Sequence, residues 1–466
     1  MSRSRVAACG VFLVLQTLSC TAREPAHPSA PVKDSPPVAS ALTPGFTPSP
    51  DLQHDVIAPD PGATGFQAPI DGMSWTTFVA LSWPASRVDR GAADRNNLPG
   101  GRSPSPEGGG GMPNGPLVWE TFKNANDVFL NPPVAPTAWS VPDQVPAFCG
   151  SVKVAPGTKV MSIHNEAFAD APLNDQQGKN VWYEVRMNRR EYDFIVDHKY
   201  YVSTNQPLII EFPAGSNETS EIGALHVKAA WKEMTAAEST SGHFYVNSAL
   251  LVDPAMNPPC RFVQSMGLVG LHIVHKTATR PQWIWSTFEQ RENAPYIPQG
   301  GPPPTVAYTF YNPSCTVNCT PNTPPGVDQP VQVVRLVDVD AEAAPINQSY
   351  QTYFKTTDSS KFTNVWQFYE LVNAQWPAQP KNVSAFGSPV PTYLANTVLE
   401  TYFQQPVASD PPHSCMNCHG TYAVAKPEPP FHATDFDFQL TKACPGADWC
   451  KAKRGVAALP PAPPKR

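Results

Sequence analysis

Between about residues 145 and 345 apolar and polar positions alternate with the period of a β-strand. In Gly223-Ala-Leu-His-Val-Lys-Ala-Ala-Trp231 the residues Leu225, Val227, Ala229 and Trp231 share one face while His226 and Lys228 take the other. That pattern predicts a half-buried antiparallel strand. Leu268-Val-Gly-Leu-His-Ile-Val-His275 is apolar on both faces and predicts a central strand. Val181-Trp-Tyr-Glu-Val-Arg186, Phe194-Ile-Val196 and Leu208-Ile-Ile-Glu-Phe212 read as further strands from their β-branched and aromatic content.

Outside this stretch the spacing changes to three and four. The segments Trp75–Trp83 and Trp119–Phe129 suit short helices. Val365, Phe368, Tyr369 and Val372 form a helical stripe, and Tyr393–Phe403 reads as a second helix with Thr392 as its cap. The expected fold is α+β, with a β-rich core over about 145–345 and short helices at both ends. The chain then forms a single large globular unit over residues 69–450, with a C-terminal segment of about 390–450 packed on the core.

Both ends of the chain lack apolar periodicity. Met1–Arg5 is a basic stretch, and Val6–Leu18 is an apolar run too short to span a bilayer, so residues 1–19 read as an export signal. Leu18-Ser-Cys20 resembles a lipoprotein cleavage box, which makes Cys20 the expected lipid anchor; cleavage after Ala22 is the alternative. Residues 20–68 are rich in Pro, Ala and Ser and read as a disordered tether, and residues 451–466 as a disordered tail. No other apolar run approaches the roughly 20 residues of a transmembrane helix. The expected location is the periplasm, anchored to the outer membrane, with no membrane contact beyond the lipid.

The chain has 466 residues, 56 of them Pro, and a formal charge of −6 that is spread evenly. Nothing in that distribution suggests a nucleic-acid surface. Export changes the reading of the ten cysteines. Cys9 leaves with the leader, and Cys149, Cys260, Cys315, Cys319, Cys444 and Cys450 can form disulfides in an oxidising compartment. The expected pairs are Cys315 with Cys319, Cys444 with Cys450, and Cys149 with Cys260 as a long-range staple.

Cys415-Met-Asn-Cys418-His419 is a C-x-x-C-H motif, whose two thiols can form thioethers to the vinyl groups of one haem while the adjacent His binds its iron. A zinc site would need four ligands, and no second C-x-x-C exists. One motif implies one covalent haem c, with His419 as the proximal iron ligand. Met416 is the last methionine, so a downstream Met cannot complete the coordination as it does in a self-contained class I cytochrome c domain. The distal ligand is therefore His432 or a residue upstream. His226 and His272 stand in similar strand contexts, and His272 is the preferred distal ligand. His275, three residues on, faces the other side of the strand. Trp283-Ile-Trp-Ser-Thr-Phe-Glu-Gln290 reads as a pocket wall or as plain core.

Several segments resemble those of the poorly characterised proteobacterial "cytochrome c family" proteins of about this length. They include Trp75-Thr-Thr-Phe-Val-Ala-Leu-Ser-Trp-Pro84, Val269-Gly-Leu-His-Ile-Val274, Leu394–Phe403, Ser414–His419 and Asp435-Phe-Asp-Phe438. The resemblance implies a single-haem protein whose haem segment packs on its own larger domain, and supplies no reaction. Three functions follow as alternatives: electron transfer to a redox partner protein, a haem enzyme or small-ligand sensor with an open sixth position, or a binding protein with an accessory haem. Whether the chain is an enzyme is not decided by its sequence. No phosphate loop, nucleophile elbow or H-E-x-x-H motif is present.

Overall fold

The computed structural model describes residues 48–56, 66–96, 115–150, 152–155, 158–163, 166–167, 171–297, 305–317, 319–324, 326, 329–336, 338–357, 364–379, 388–404, 414–422 and 434–443. Cys20, Cys444, Cys450, His432, the expected leader and the expected tail lie outside the described residues. The described residues all belong to one compact unit, residues 40–466.

Nine strands form one sheet among the described residues. They are β1 (Lys123–Asn124), β2 (Lys159–Met161), β3 (Trp182–Met187), β4 (Leu225–Glu233), β5 (Val246–Val252), β6 (Cys260–His275), β7 (Ile284–Gln290), β8 (Tyr369–Pro377) and β9 (Pro389–Val390), in the order β1-β3-β4-β6-β7-β8-β9. β5 pairs with the first half of β6 and carries β2, the one parallel partner. Helices are few: α1 (Gln67–Leu81), α2 (Arg189–Asp197), α3 (Ala236–Thr240), α4 (Ala343–Thr356) and α5 (Cys415–Tyr422). The protein is a mixed α+β fold built on a large antiparallel sheet. Among the described residues no helix is long and apolar enough to cross a membrane.

Cross-strand register decides which side chains share a face. Arg186, Val227, Ile273, Ser286 and Ala374 stand in one row. Their face is covered by α1 and α4 through Trp75, Phe78, Tyr350 and Phe354, packed on Val227, Leu271, Ile273 and Phe288. Trp75 stacks on Tyr350 with ring centroids 4.6 Å apart and donates to Asn347 Oδ1 at 2.7 Å. On the opposite face run two rows, Val185–Lys228–His272–Thr287–Asn373 and Met187–His226–Val274–Trp285–Gln375. Residues of α2, α5 and the turn at 434–442 cover that side, with Tyr192, Ile195, Met416, Phe436 and Leu440 against Val185, Val274, Trp283 and Trp285. Because both faces are covered, β4 is buried on both, not half-buried as its alternation predicts; only Lys228 and Glu233 are partly exposed.

The expected strands at 181–186, 223–231 and 268–275 correspond to β3, β4 and the central β6. Five other segments differ: Trp119–Phe129, expected as a short helix, is two 3₁₀ turns on either side of β1, and the remaining four each differ for a local reason. Phe194–Val196 lies in α2, whose start is capped by the Asn188 side chain accepting from Glu191 N–H at 3.0 Å. Leu208–Phe212 is irregular, with Leu208 and Ile209 exposed. Val365–Phe368 is a single 3₁₀ turn that runs into β8 instead of continuing as a helix. An apolar run of that length fits either period, and pairing with β7 decides it. Over 393–403 there is no α-helix; the Asn396 side chain accepts from the N–H groups of Val398 and Leu399 and folds a turn in its place. The sheet also exceeds the expected 145–345, since β1 precedes it and β8 and β9 follow it.

Cys149 pairs with Cys260, and Cys315 with Cys319. The first bridge ties the segment before β2 to the start of β6 across 111 residues.

Candidate functional site

α5 is the C-x-x-C-H segment itself. Helical geometry puts residues three and four apart on one side, so Cys415, Cys418 and His419 face together. Ser414 starts the helix by accepting from Asn417 N–H at 3.2 Å, and Met416, fully buried, anchors the other side, with its N–H on Gln375 Oε1 of β8 at 2.8 Å.

The three residues open onto a cavity of about 60 Å³, which His272 and Trp285 of the sheet, Glu400 and Phe403 of the 396–403 turn, and Phe438 also line. Gly270 makes the arrangement possible. A Cβ there would stand 2.6 Å from Val398 Cγ2, so only glycine lets the turn lie against β6. Asn396 Nδ2 donates to Thr287 Oγ1 and Phe288 O, and Thr397 donates through N–H and hydroxyl to Glu289 Oε2. The pinned turn places Glu400 Oε2 3.4 Å from His272 Nε2. Burial would raise the Glu400 carboxyl, but His272 and Lys228 hold it below the usual range.

His419 is oriented by the turn that follows α5. Its ring lies between Trp285 and Phe438, with centroids at 4.5 and 4.4 Å. Nδ1 donates to the Phe436 carbonyl at 2.7 Å. The carbonyl is aimed by two consecutive non-glycine residues in the left-handed region, Asp435 (φ 54) and Phe436 (φ 66). That strain is held in place by Trp283 Nε1 donating to Asp435 O at 2.9 Å and by Lys276 Nζ on Asp435 Oδ2 at 2.6 Å. Burial pushes the His419 imidazolium down to about 3, so the ring is neutral. A neutral imidazole whose Nδ1–H is fixed on a carbonyl presents Nε2 as a metal ligand.

The thiols are not those of a redox dithiol. Burial raises Cys415 well above its usual range and pushes Cys418 up to about 11, so neither is a thiolate at neutral pH. Nor do these ligands converge on one ion. Among the described residues, the grouping of three ligand atoms within 4.8 Å of one another is Glu191, His226 and Asp437, while Cys415, Cys418, His419 and His272 are spread around the cavity wall, too widely for a zinc site. Two thiols and a neutral imidazole on one helix face are the donor set that a haem joined to the two cysteines would use.

Of the candidates in the sequence, the structure brings His272 to the same cavity as Cys415, Cys418 and His419. His226 is on the same face but turns to Glu191, with Nδ1 3.3 Å from Glu191 Oε2. Burial lowers its imidazolium, and Glu191 more than offsets this. Burial and the Glu191 charge push Asp437 beside it up to about 7. Trp285 is a cavity wall while Phe288, on the other face, is core. Glu400 and the Phe436 carbonyl have no motif of their own in the sequence.

His275 takes the opposite face of β6, buried, with neither ring nitrogen bonded. Burial pushes its imidazolium down to about 4 against a smaller opposing effect of Asp55, with His54 adding to the fall. The unfolded chain therefore binds this proton more readily than the folded one. The stability it confers is complete above about pH 6.5 and is lost as pH falls toward 4. His275→Leu is expected to remove about 3 kcal/mol of that acid-side loss. Urea unfolding at pH 7, 5.5 and 4 checks this; parallel slopes for the variant and the parent would contradict it.

Compared with family models, curated proteins and solved structures, the chain matches none.

Proposed function

We propose that this chain is an exported mono-haem c-type cytochrome that transfers electrons, with the haem attached to Cys415 and Cys418 and its iron held by His419 and His272. The observation that carries the reading is that His272, from the centre of the sheet, lines the same cavity as the C-x-x-C-H helix some 140 residues later. When bound, the haem supplies a one-electron iron couple. The chain's part is to keep that group dry and fixed. Trp285, Phe403 and Phe438 wall the cavity, the Phe436 carbonyl sets the His419 tautomer, and α5 is tied to the sheet through Gln375. In this reading the protein is a member of the cytochrome c family it resembles, sits in the periplasm on a Cys20 lipid anchor, and exchanges electrons with a redox partner protein.

One observation favours a second reading. His272 Nε2 faces Glu400, and an imidazole–carboxylate pair over an open sixth position would serve proton transfer in a haem enzyme or hold a small ligand in a sensor. The optical spectrum of the matured protein, oxidised and reduced, with and without carbon monoxide, separates the two. A low-spin spectrum indifferent to carbon monoxide is the expected result. A high-spin spectrum that shifts on carbon monoxide would replace electron transfer with the enzyme or sensor.

A further inference from the structure

We propose that Glu191, His226 and Asp437 bind a divalent transition-metal cation of the zinc or manganese class, in a second site independent of the haem cavity. The three ligands come from separate elements. Glu191 stands in the first turn of α2, its N–H on the Asn188 cap. His226 projects from β4 with its ring centroid 5.3 Å from that of Trp283. Asp437 caps the 3₁₀ turn Phe438–Lys442, accepting from Gln439 N–H at 2.7 Å. One ligand atom of each lies within 4.8 Å of the other two, and all three side chains are buried.

Proximity alone would not make a site, but the two carboxylates are incompletely partnered. Glu191 Oε1 and Asp437 Oδ2 are both buried without a hydrogen-bond donor. A buried carboxylate oxygen in that state requires a donor or a cation. One imidazole and two carboxylates is a donor set that zinc and manganese accept. A charge of +2 matches the two carboxylates. Zinc bonds of about 2.0–2.2 Å would draw the three ligand atoms closer together, a movement within reach of carboxylate rotation. Asp437 follows Phe436, whose carbonyl orients His419. A cation here would therefore brace the turn on which the proposed axial ligand depends, although the site itself requires no haem.

Zinc titration of the chelator-treated full-length protein by calorimetry, with metal content measured after dialysis, tests the site; manganese serves as a second probe. One equivalent is expected, bound more than about 100-fold more weakly by Glu191→Gln with Asp437→Asn, beyond the loss from an outer-shell partner. Cys415→Ala with Cys418→Ala should retain the equivalent, whereas its loss there would place the metal at the haem motif and overturn the proposal. Should the amide variant fail to fold, the parent decides: a zinc-dependent rise in melting temperature supports the site. No bound equivalent and no rise would leave a shared proton between the carboxylates and end the proposal. Neither readout depends on haem, so failure here leaves the spectroscopic test of the cytochrome untouched.

Discussion

Replacing Cys415 and Cys418 with alanine is expected to abolish haem that survives denaturation, read by haem stain on a denaturing gel after maturation in a c-type-competent, exporting host. The helix α5 presents both thiols with His419 on one side, toward a single cavity, so no other cysteine among the described residues can substitute: Cys149, Cys260, Cys315 and Cys319 are already paired. Persistence of covalent haem in the double variant would sink the attachment site. With the cysteines intact, His272→Ala is expected to retain the haem yet convert a low-spin, carbon-monoxide-indifferent spectrum into a high-spin one that binds carbon monoxide. His226→Ala should not do this, because His226 is turned to Glu191 and does not line the cavity. An unchanged His272→Ala spectrum would assign His272 to Glu400 and remove it from the iron.

What was legible in the sequence follows from where the signal is local. Alternation marks β4, β-branched and aromatic content marks β3, and a run apolar on both faces marks the second half of β6, because each of these stretches is paired inside the sheet. Since side chains alternate, the same reading sends His272 and His275 to opposite faces, as the register shows. The motif at 415–419 carries its own geometry once it is helical. The failures occur where a side chain far along the chain, or a cap, decides. Asn188 and Glu191 turn Phe194–Val196 into a helix, β7 pulls Tyr369–Pro377 into the sheet, and Asn396 prevents a helix by bonding its own backbone. Glu400 meets His272 only because Gly270 admits a turn, and the Phe436 carbonyl meets His419 only through two left-handed residues. No spacing rule carries either fact. The Glu191–His226–Asp437 group likewise draws on three distant segments and has no motif to announce it.

The largest stability effect is expected under the opposite face of the sheet, where Arg186 is fully buried among acids. Its guanidinium meets Glu184 Oε2 at 2.6 Å, Asp143 at 3.0 and 2.5 Å and the Phe122 carbonyl at 3.1 Å. Lys159 completes the network through Glu184 at 2.7 Å and Glu120 at 3.1 Å. Arg186→Met leaves three carboxylates facing one ammonium, and breaking a buried pair from one side costs about 3–5 kcal/mol. Burial alone would raise Asp143 and Glu184, and it is chiefly Arg186 that holds both below their usual range. In the parent their contribution is present above about pH 4 and lost below it. Without Arg186 burial prevails, both carboxyls rise above their unfolded values, and the variant's stability falls as pH increases. The gap between parent and variant should therefore be widest near pH 7.5 and narrow by pH 5, as urea unfolding at the two values would show. Adding Glu184→Gln to Arg186→Met removes one of the unpaired charges and should recover part of the loss. A gap that stays constant with pH would mean that the loss comes from the missing side-chain volume and not from the charge.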